Sequence, residues 1–209
     1  MHDYLPFYGT NDKELFAIER YAMDYDGLVI KYLDDHLPYG RVLDIGAGNG
    51  YTANQLCKNR NITCLEPSDG LPDFSLGVNW VKATAETMPF HAQYFDGAYS
   101  TWAYFLPGVK KEKGLSAALK AIRKGGKLIV IDNAGNDEFC GLTDKAIATD
   151  KDFYINNGFT FDVLSTTFTF KTIEDAQKLM VFYFGADAMK TKIKLSYQYS
   201  VIAYLKTVE

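Results

Sequence analysis

The sequence predicts an open α/β domain, a mostly parallel sheet of seven strands with helices on both faces. Two observations carry this. Short apolar runs at residues 41–45, 62–65, 79–82, 95–99 and 127–131 are strand-length and alternate with helical or loop segments, as parallel βαβ units require. After Gly158 come two longer stretches. Residues 159–170, aromatic and Thr-rich, fit a strand or hairpin, and residues 195–205 ("LSYQYSVIAYL") alternate like a final strand.

Taken in order, Asn11 with Glu14 resembles a capping box, and Leu15, Ile18 and Ala22 follow at helical spacing. Leu28, Val29, Tyr32 and Leu33 carry a second helix towards Pro38, with Gly27 as the break between the two. The first strand runs into a glycine loop, and residues 52–58 then read as a helix. The second strand ends on Glu66-Pro67-Ser68-Asp69, where Pro67 suits the start of a turn. A helix over 111–123 stops at Gly125-Gly126 before the fifth strand, and residues 174–184 are again helical in pattern. With no internal repeat, low-complexity stretch or linker, residues 1–209 read as one domain. Its parts are an N-terminal helical segment (1–39), a ligand-binding core (40–135) and C-terminal strands with a helix (136–209).

A chain of 209 residues, 47% hydrophobic and 23% charged, is ordinary for a globular domain with a substantial core. A net charge of −4 argues against a large nucleic-acid footprint, and the "KKEK" run at 110–113 is of the solvated-loop kind. Cys57, Cys64 and Cys140 are odd in number and form no CxxC pair, which fits a reduced, intracellular protein. His2, His36 and His91 lie far apart, so no metal is expected. No leader pattern opens the chain and no run approaches the ~20 apolar residues of a membrane span. A soluble, cytoplasmic protein is the expectation.

The most informative stretch is "VLDIGAGNGYT", Val42 to Thr52. Its order of strand, loop and helix places it beyond the carboxyl end of the first strand, where open α/β sheets bind ligands. Glycines allow the backbone to approach a ligand closely. The dinucleotide fingerprint is GxGxxG with an acid about 20 residues on. Here Gly46, Gly48 and Gly50 give GxGxG, and Asp44 stands two residues before the first glycine. A carboxylate at the mouth of the loop repels a pyrophosphate and favours a ligand carrying an ammonium and a sulfonium. Glu66, at the end of the second strand, suits a bidentate grip on ribose hydroxyls, since an ionised carboxylate accepts from both.

On these residues the chain resembles the class I S-adenosylmethionine-dependent methyltransferases, of the branch that includes many small-molecule enzymes. Four blocks match in order across residues 40–135: "VLDIGAGNG", "CLEPS", "ATAETMPF", and "FDGAYSTWAYF" with "IRKGGKLIVID". The resemblance implies a Rossmann-like fold with an N-terminal helical lid, and transfer of a methyl group from S-adenosylmethionine to a small-molecule acceptor. Gly46, Ala47, Gly48 and Gly50 would then line the methionine part, with Asp44 acting on its amino group directly or through water. Glu66 would hold the ribose, with Pro67 and Ser68 packed beside it. Ala85 would offer its backbone to the adenine edge, next to Glu86. Ser100 and Thr101 would follow the fourth strand and lie under the sulfonium. One position departs from the pattern: where the family usually has an Asp accepting from the adenine amino group, this chain has Thr84. A hydroxyl accepts more weakly, so looser adenine binding is expected.

Plainer readings stand beside these. Glu66 could be a turn or cap residue, and Asp96 and Asp132 could be turn acceptors at strand ends. Arg20 either reaches the cofactor carboxylate from the lid helix or is an exposed helix arginine. Tyr4, Phe7, Tyr8, Tyr21 and Tyr25 are packing residues of core or lid, one or two of which could cover the sulfonium. His91, Tyr104 and Asp132 are candidate bases, none distinguished by its sequence context. The chain lacks the Asn/Asp-Pro-Pro-Tyr/Phe run typical of amino-nitrogen methylation of adenine or glutamine. An RNA or protein methyltransferase and a cofactor-binding domain without transfer activity remain as alternatives. A dinucleotide oxidoreductase is disfavoured by Asp44 and the glycine spacing.

Overall fold

The computed structural model describes residues 12–104, 110–143, 147–190 and 192–209. Strand β1 (Gly40–Ile45) lies parallel between β2 (Arg60–Leu65) and β4 (Phe95–Thr101), with Asp44 level with Cys64 on one side and Tyr99 on the other. Adding β3 (Asn79–Val81), β5 (Ile122–Asn133), β6 (Thr160–Thr169) and β7 (Ser196–Thr207) gives the order β3-β2-β1-β4-β5-β7-β6. Strand β7 runs antiparallel to both β5 and β6. The chain builds outward from β1 to β3, then returns to add β4 on the far side of β1. The reversal leaves a crevice at the carboxyl ends of β1 and β4, the usual ligand position in such sheets.

Both faces of the sheet are covered, which explains the near-continuous apolar runs of the central strands. The pleat sends Val42, Ile129 and Ile131 into one core and Leu43, Ile45, Leu128 and Val130 into the other. Helices α1 (Lys13–Met23), α2 (Leu28–His36) and α3 (Tyr51–Leu56) feed the first core through Leu15, Met23, Val29, Leu33 and Leu56. Helix α4 (Lys111–Ala121) and the short α5 (Lys151–Asn156) feed the second through Leu115, Ala118 and Tyr154. Between β6 and β7 the chain inserts α6 (Ile173–Phe184) and α7 (Ala186–Met189), whose Leu179, Met180 and Met189 join the first core.

Several boundaries differ from the sequence reading, each for a local reason. The cap of α1 is Asp12, whose carboxylate accepts from the Leu15 amide at 2.8 Å. Asn11, Tyr4, Phe7 and Tyr8 lie outside the described residues. Helix α4 stops at Ala121, because Ile122 already pairs with Phe95. The glycines thought to end the helix instead form an irregularity inside β5, with Gly125 at φ +74°. A Cβ on Gly126 would stand 2.5 Å from the Asp96 carbonyl oxygen. Residues 160–169 form a single strand paired with β7 from Ser196 to Leu205 rather than a hairpin. Ser100 and Thr101 are the last residues of β4 and do not follow it. The sequence reading does not include the short α5 and α7 or the 3-10 turns Ala85–Thr87 and Cys140–Leu142; elements this short show little helical period, and α3 is legible only from its place after the glycine loop. Among the described residues no helix is long and apolar enough to cross a membrane.

Candidate active site

The glycine loop is shaped by backbone that a side chain would obstruct. Gly46, Gly48 and Gly50 all have left-handed φ, at +74°, +57° and +80°. A Cβ on Gly46 would meet the Ala103 methyl at 2.5 Å, and one on Gly48 would meet Phe16 Cζ at 2.7 Å. The loop is thus pressed between the end of β4 and helix α1. The Gly46 and Ala47 amides donate to the Leu65 carbonyl at 2.9 and 3.1 Å, tying the loop to the tip of β2.

Two carboxylates flank this loop. Asp44, 1% exposed, accepts from the Tyr99 hydroxyl at 2.8 Å through Oδ2, and its Oδ1 has no hydrogen-bond partner. Burial pushes its pKa up to about 7; Tyr99 and the Arg20 charge oppose the rise and Glu66 adds to it. Glu66 is also buried and accepts from the Gly48 amide (2.9 Å) through Oε2 and the Ser68 amide (2.9 Å) through Oε1. Desolvation raises its pKa, while those amides stabilise the ionised form and pull the other way. Each carboxylate oxygen has two lone pairs, so both keep capacity for a further donor. Glu66 is the brace between the glycine loop and the β2 turn, so the plainer turn reading and the ligand reading are compatible.

Arg20 is the correction that matters most. As an exposed helix residue it would carry nothing, but it is 8% exposed. Its Nη2 donates to Thr52 Oγ1 at 2.9 Å and Thr101 Oγ1 at 3.4 Å. Its Cζ lies 4.7 Å from the Trp102 ring centre and 5.9 Å from that of Tyr51. No ion pair joins it to an acid among the described residues. Helix α1 therefore brings a buried guanidinium, unpaired with any described acid, to the crevice beside Asp44. Ser100 serves the scaffold here, donating to the Ile45 carbonyl at 2.9 Å.

Thr84 caps the 3-10 turn Ala85–Thr87, and its hydroxyl shares a 2.9 Å hydrogen bond with that of Thr87. Glu86 accepts from the Lys110 amide at 3.0 Å, anchoring the same turn towards α4. Ala85 packs there too, its Cβ 3.0 Å from where a Cβ on Gly114 would lie. The three base candidates do not gather at the Asp44–Arg20 crevice. His91 is exposed. Tyr104 is buried in the second core, its hydroxyl without a partner and its pKa raised by burial. Asp132 alternates with Leu128 and Val130 onto that same face, opposite to Asp44, and burial pushes its pKa up to about 7. Among the described residues no cluster of His, Cys, Asp and Glu fits a metal ion.

Sequence reasoning missed Phe16, Thr52 and Trp102, which complete the crevice. Trp102 directly follows Thr101 in a block already singled out, so adjacency was the available signal. Against this geometry, residues 42–126 match the protein family described as methyltransferase domain. The match runs from β1 into β5 and includes the glycine loop, so this part of the chain is similar to a methyltransferase domain. Solved structures agree in fold. A SAM-dependent methyltransferase of Thermotoga maritima, described as a possible histamine N-methyltransferase, aligns at 22% identity and TM-score 0.63, covering 95% of each chain. Phosphoethanolamine N-methyltransferase 2 of Haemonchus contortus, in complex with S-adenosyl-L-methionine, aligns at 16% identity and TM-score 0.62. That alignment covers 99% of this chain and 60% of the longer enzyme. The YcgJ protein of Bacillus subtilis aligns at 14% identity and TM-score 0.57, over 90% and 99% of the two chains. At these identities the likeness speaks for the fold alone. No curated protein matches the sequence.

Proposed function

We propose that this methyltransferase moves a methyl group from S-adenosylmethionine to a small-molecule acceptor, and that the α1–β1–β4 crevice seats the amino-acid end of the donor. One observation carries the reading of the crevice. Two buried groups of opposite charge sit there: Asp44, whose Oδ1 has no hydrogen-bond partner, and the Arg20 guanidinium, which bonds to the Thr52 and Thr101 hydroxyls and has no ion pair to a described acid. Hydroxyl partners alone compensate a buried charge incompletely, so each suits a ligand group of the other sign. An α-amino acid is a zwitterion and complements both. A pyrophosphate would complement Arg20 and be repelled by Asp44, which disfavours a dinucleotide.

The donor supplies an electrophilic methyl on a cationic sulfur. The protein's work is then alignment and exclusion of water. Because the positive charge on sulfur diminishes towards the transition state, a carboxylate tight against the sulfur would favour the ground state and slow the step. Holding the remote ends instead, with Asp44 and Arg20 at the amino acid and Glu66 at the ribose, avoids that penalty. Phe16 over Gly48 and Arg20 over the end of β4 let α1 serve as the lid. Thr84 and the Ala85 backbone would face the adenine, the threonine as a weak acceptor already shared with Thr87.

The small-molecule assignment is supported by the net charge of −4, which offers little to a polyanion. The test is label transfer from S-adenosyl-[methyl-³H]methionine to a panel of amines, phenols and carboxylic acids, run beside bulk RNA and protein. Label in the small-molecule fraction is expected. Label confined to RNA or protein would overturn the acceptor class, and no transfer to any of them would favour a cofactor-binding domain.

A further inference from the structure

Trp102 holds a backbone conformation that bulky residues avoid. Its φ is +52°, and it is the only aromatic residue with positive φ among the described residues. Such a conformation costs about 1–2 kcal/mol and persists only where neighbours over-determine it. The neighbours are identifiable. The Trp102 amide donates to the Ile131 carbonyl at 2.9 Å, and its indole Nε1–H donates to the Tyr199 hydroxyl at 2.8 Å. The Tyr199 hydroxyl donates to Asn133 Oδ1, and Asn133 Nδ2 donates to the Ile147 carbonyl at 2.9 Å. Trp102, Tyr199 and Asn133 are 6%, 1% and 3% exposed.

Only one sense of this chain is allowed. An indole can only donate, so the Tyr199 oxygen accepts there and must give its own proton onward. Asn133 receives it on Oδ1 because its amide nitrogen is committed to Ile147. The rings of Phe139 and Phe168 stand edge-on to Tyr199, at 5.3 and 5.7 Å between centres, and limit its tilt. The relay thus sets the plane of the indole at a strand tip, and that plane is the platform on which Arg20 rests.

We propose that Asn133 and Tyr199 are positioning residues that act through Trp102 to hold the Arg20 guanidinium where the donor's carboxylate arrives. The inference rests on the donor reading of the crevice. Neither Asn133 nor Tyr199 touches the donor itself; their effect is the angle and height of the indole. A guanidinium must meet a carboxylate in a planar, forked geometry, so a displaced platform weakens that bond without disturbing adenine or ribose contacts.

The experiment compares two ligands by calorimetry: S-adenosylhomocysteine, and 5′-methylthioadenosine, which lacks the amino-acid end. Arg20→Ala should weaken the first about tenfold or more and the second less than about twofold, as expected for loss of a charge-assisted bond. Tyr199→Phe and Trp102→Phe should each weaken S-adenosylhomocysteine roughly three- to tenfold and leave 5′-methylthioadenosine unchanged. Because both substitutions break the same hydrogen bond, the double variant should be no worse than the weaker-binding single variant. Equal loss for the two ligands, no loss, or additive losses would overturn the relay, since general destabilisation does not discriminate between them. An Arg20→Ala protein that binds S-adenosylhomocysteine normally would instead overturn the donor reading itself. If Tyr199→Phe does not fold, Trp102→Phe supplies the same ligand comparison.

Discussion

Asp44 offers the sharpest quantitative consequence, because its burial makes donor binding depend on pH. In the free protein its carboxyl is 1% exposed, one oxygen is unpartnered, and its pKa lies near 7. An α-ammonium placed beside Oδ1 would favour the ionised form and return the pKa towards the usual carboxylate range. Binding below pH 7 then requires Asp44 to lose a proton. Each pH unit below the free pKa costs about 1.4 kcal/mol, a factor of ten in affinity. The dissociation constant for S-adenosylhomocysteine should therefore rise about fiftyfold between roughly pH 7, where Asp44 is half protonated, and pH 5, or about 2.3 kcal/mol. Asp44→Asn should bind more weakly at neutral pH and lose most of that slope; a remainder would come from Glu66, whose pKa is also raised. Calorimetric titration of both proteins across this range is the assay. A flat wild-type profile, or an equally steep one in Asp44→Asn, would refute the argument.

Three further outcomes follow from the same geometry. Gly48→Ala should lower the melting temperature and weaken S-adenosylhomocysteine at least severalfold, seen by thermal melts and calorimetry. It forces an L residue to φ +57° and drives a methyl into Phe16, at about 1–2 kcal/mol for the backbone alone. Thr84→Asp should tighten the same ligand severalfold with little change in melting temperature, since Asp caps a helical turn as well as Thr and offers a stronger acceptor. Asp132 bears on apo stability. Its folded pKa is about 7 against 3.8 for a free Asp side chain, so between those values the folded state keeps a proton that the unfolded chain has released. Stability should fall as pH rises through that window, by up to roughly 4 kcal/mol from this residue, and Asp132→Asn should reduce the fall in urea melts near pH 5 and pH 7.5.

The features legible in the sequence are those written locally. Asp44, the three glycines and Glu66 sit within two neighbouring strand tips, and their residue types are dictated by backbone shape and charge at one place. The strands were legible for a similar reason: burial on both faces leaves continuous apolar runs. What escaped is set by long separations. Arg20 meets Thr101 across 81 positions, and Trp102 meets Tyr199 across 97, so no spacing rule links them. An amphipathic helix shows only that one face is covered, and nothing local says that Arg20 belongs to that face. Gly125-Gly126 misled because a helix stop and a strand irregularity both ask for the same residue. The base candidates were chosen by residue type alone, and the pleat then sent Asp132 to the face away from Asp44.

The central claim is that the crevice beside Gly46–Gly50 is built for a sulfonium nucleoside with an amino-acid tail. Calorimetric titration of the wild-type protein with S-adenosylhomocysteine and, separately, with NAD tests it most directly. Binding of S-adenosylhomocysteine in the micromolar range with none of NAD is the predicted result. Binding of NAD without S-adenosylhomocysteine would contradict it.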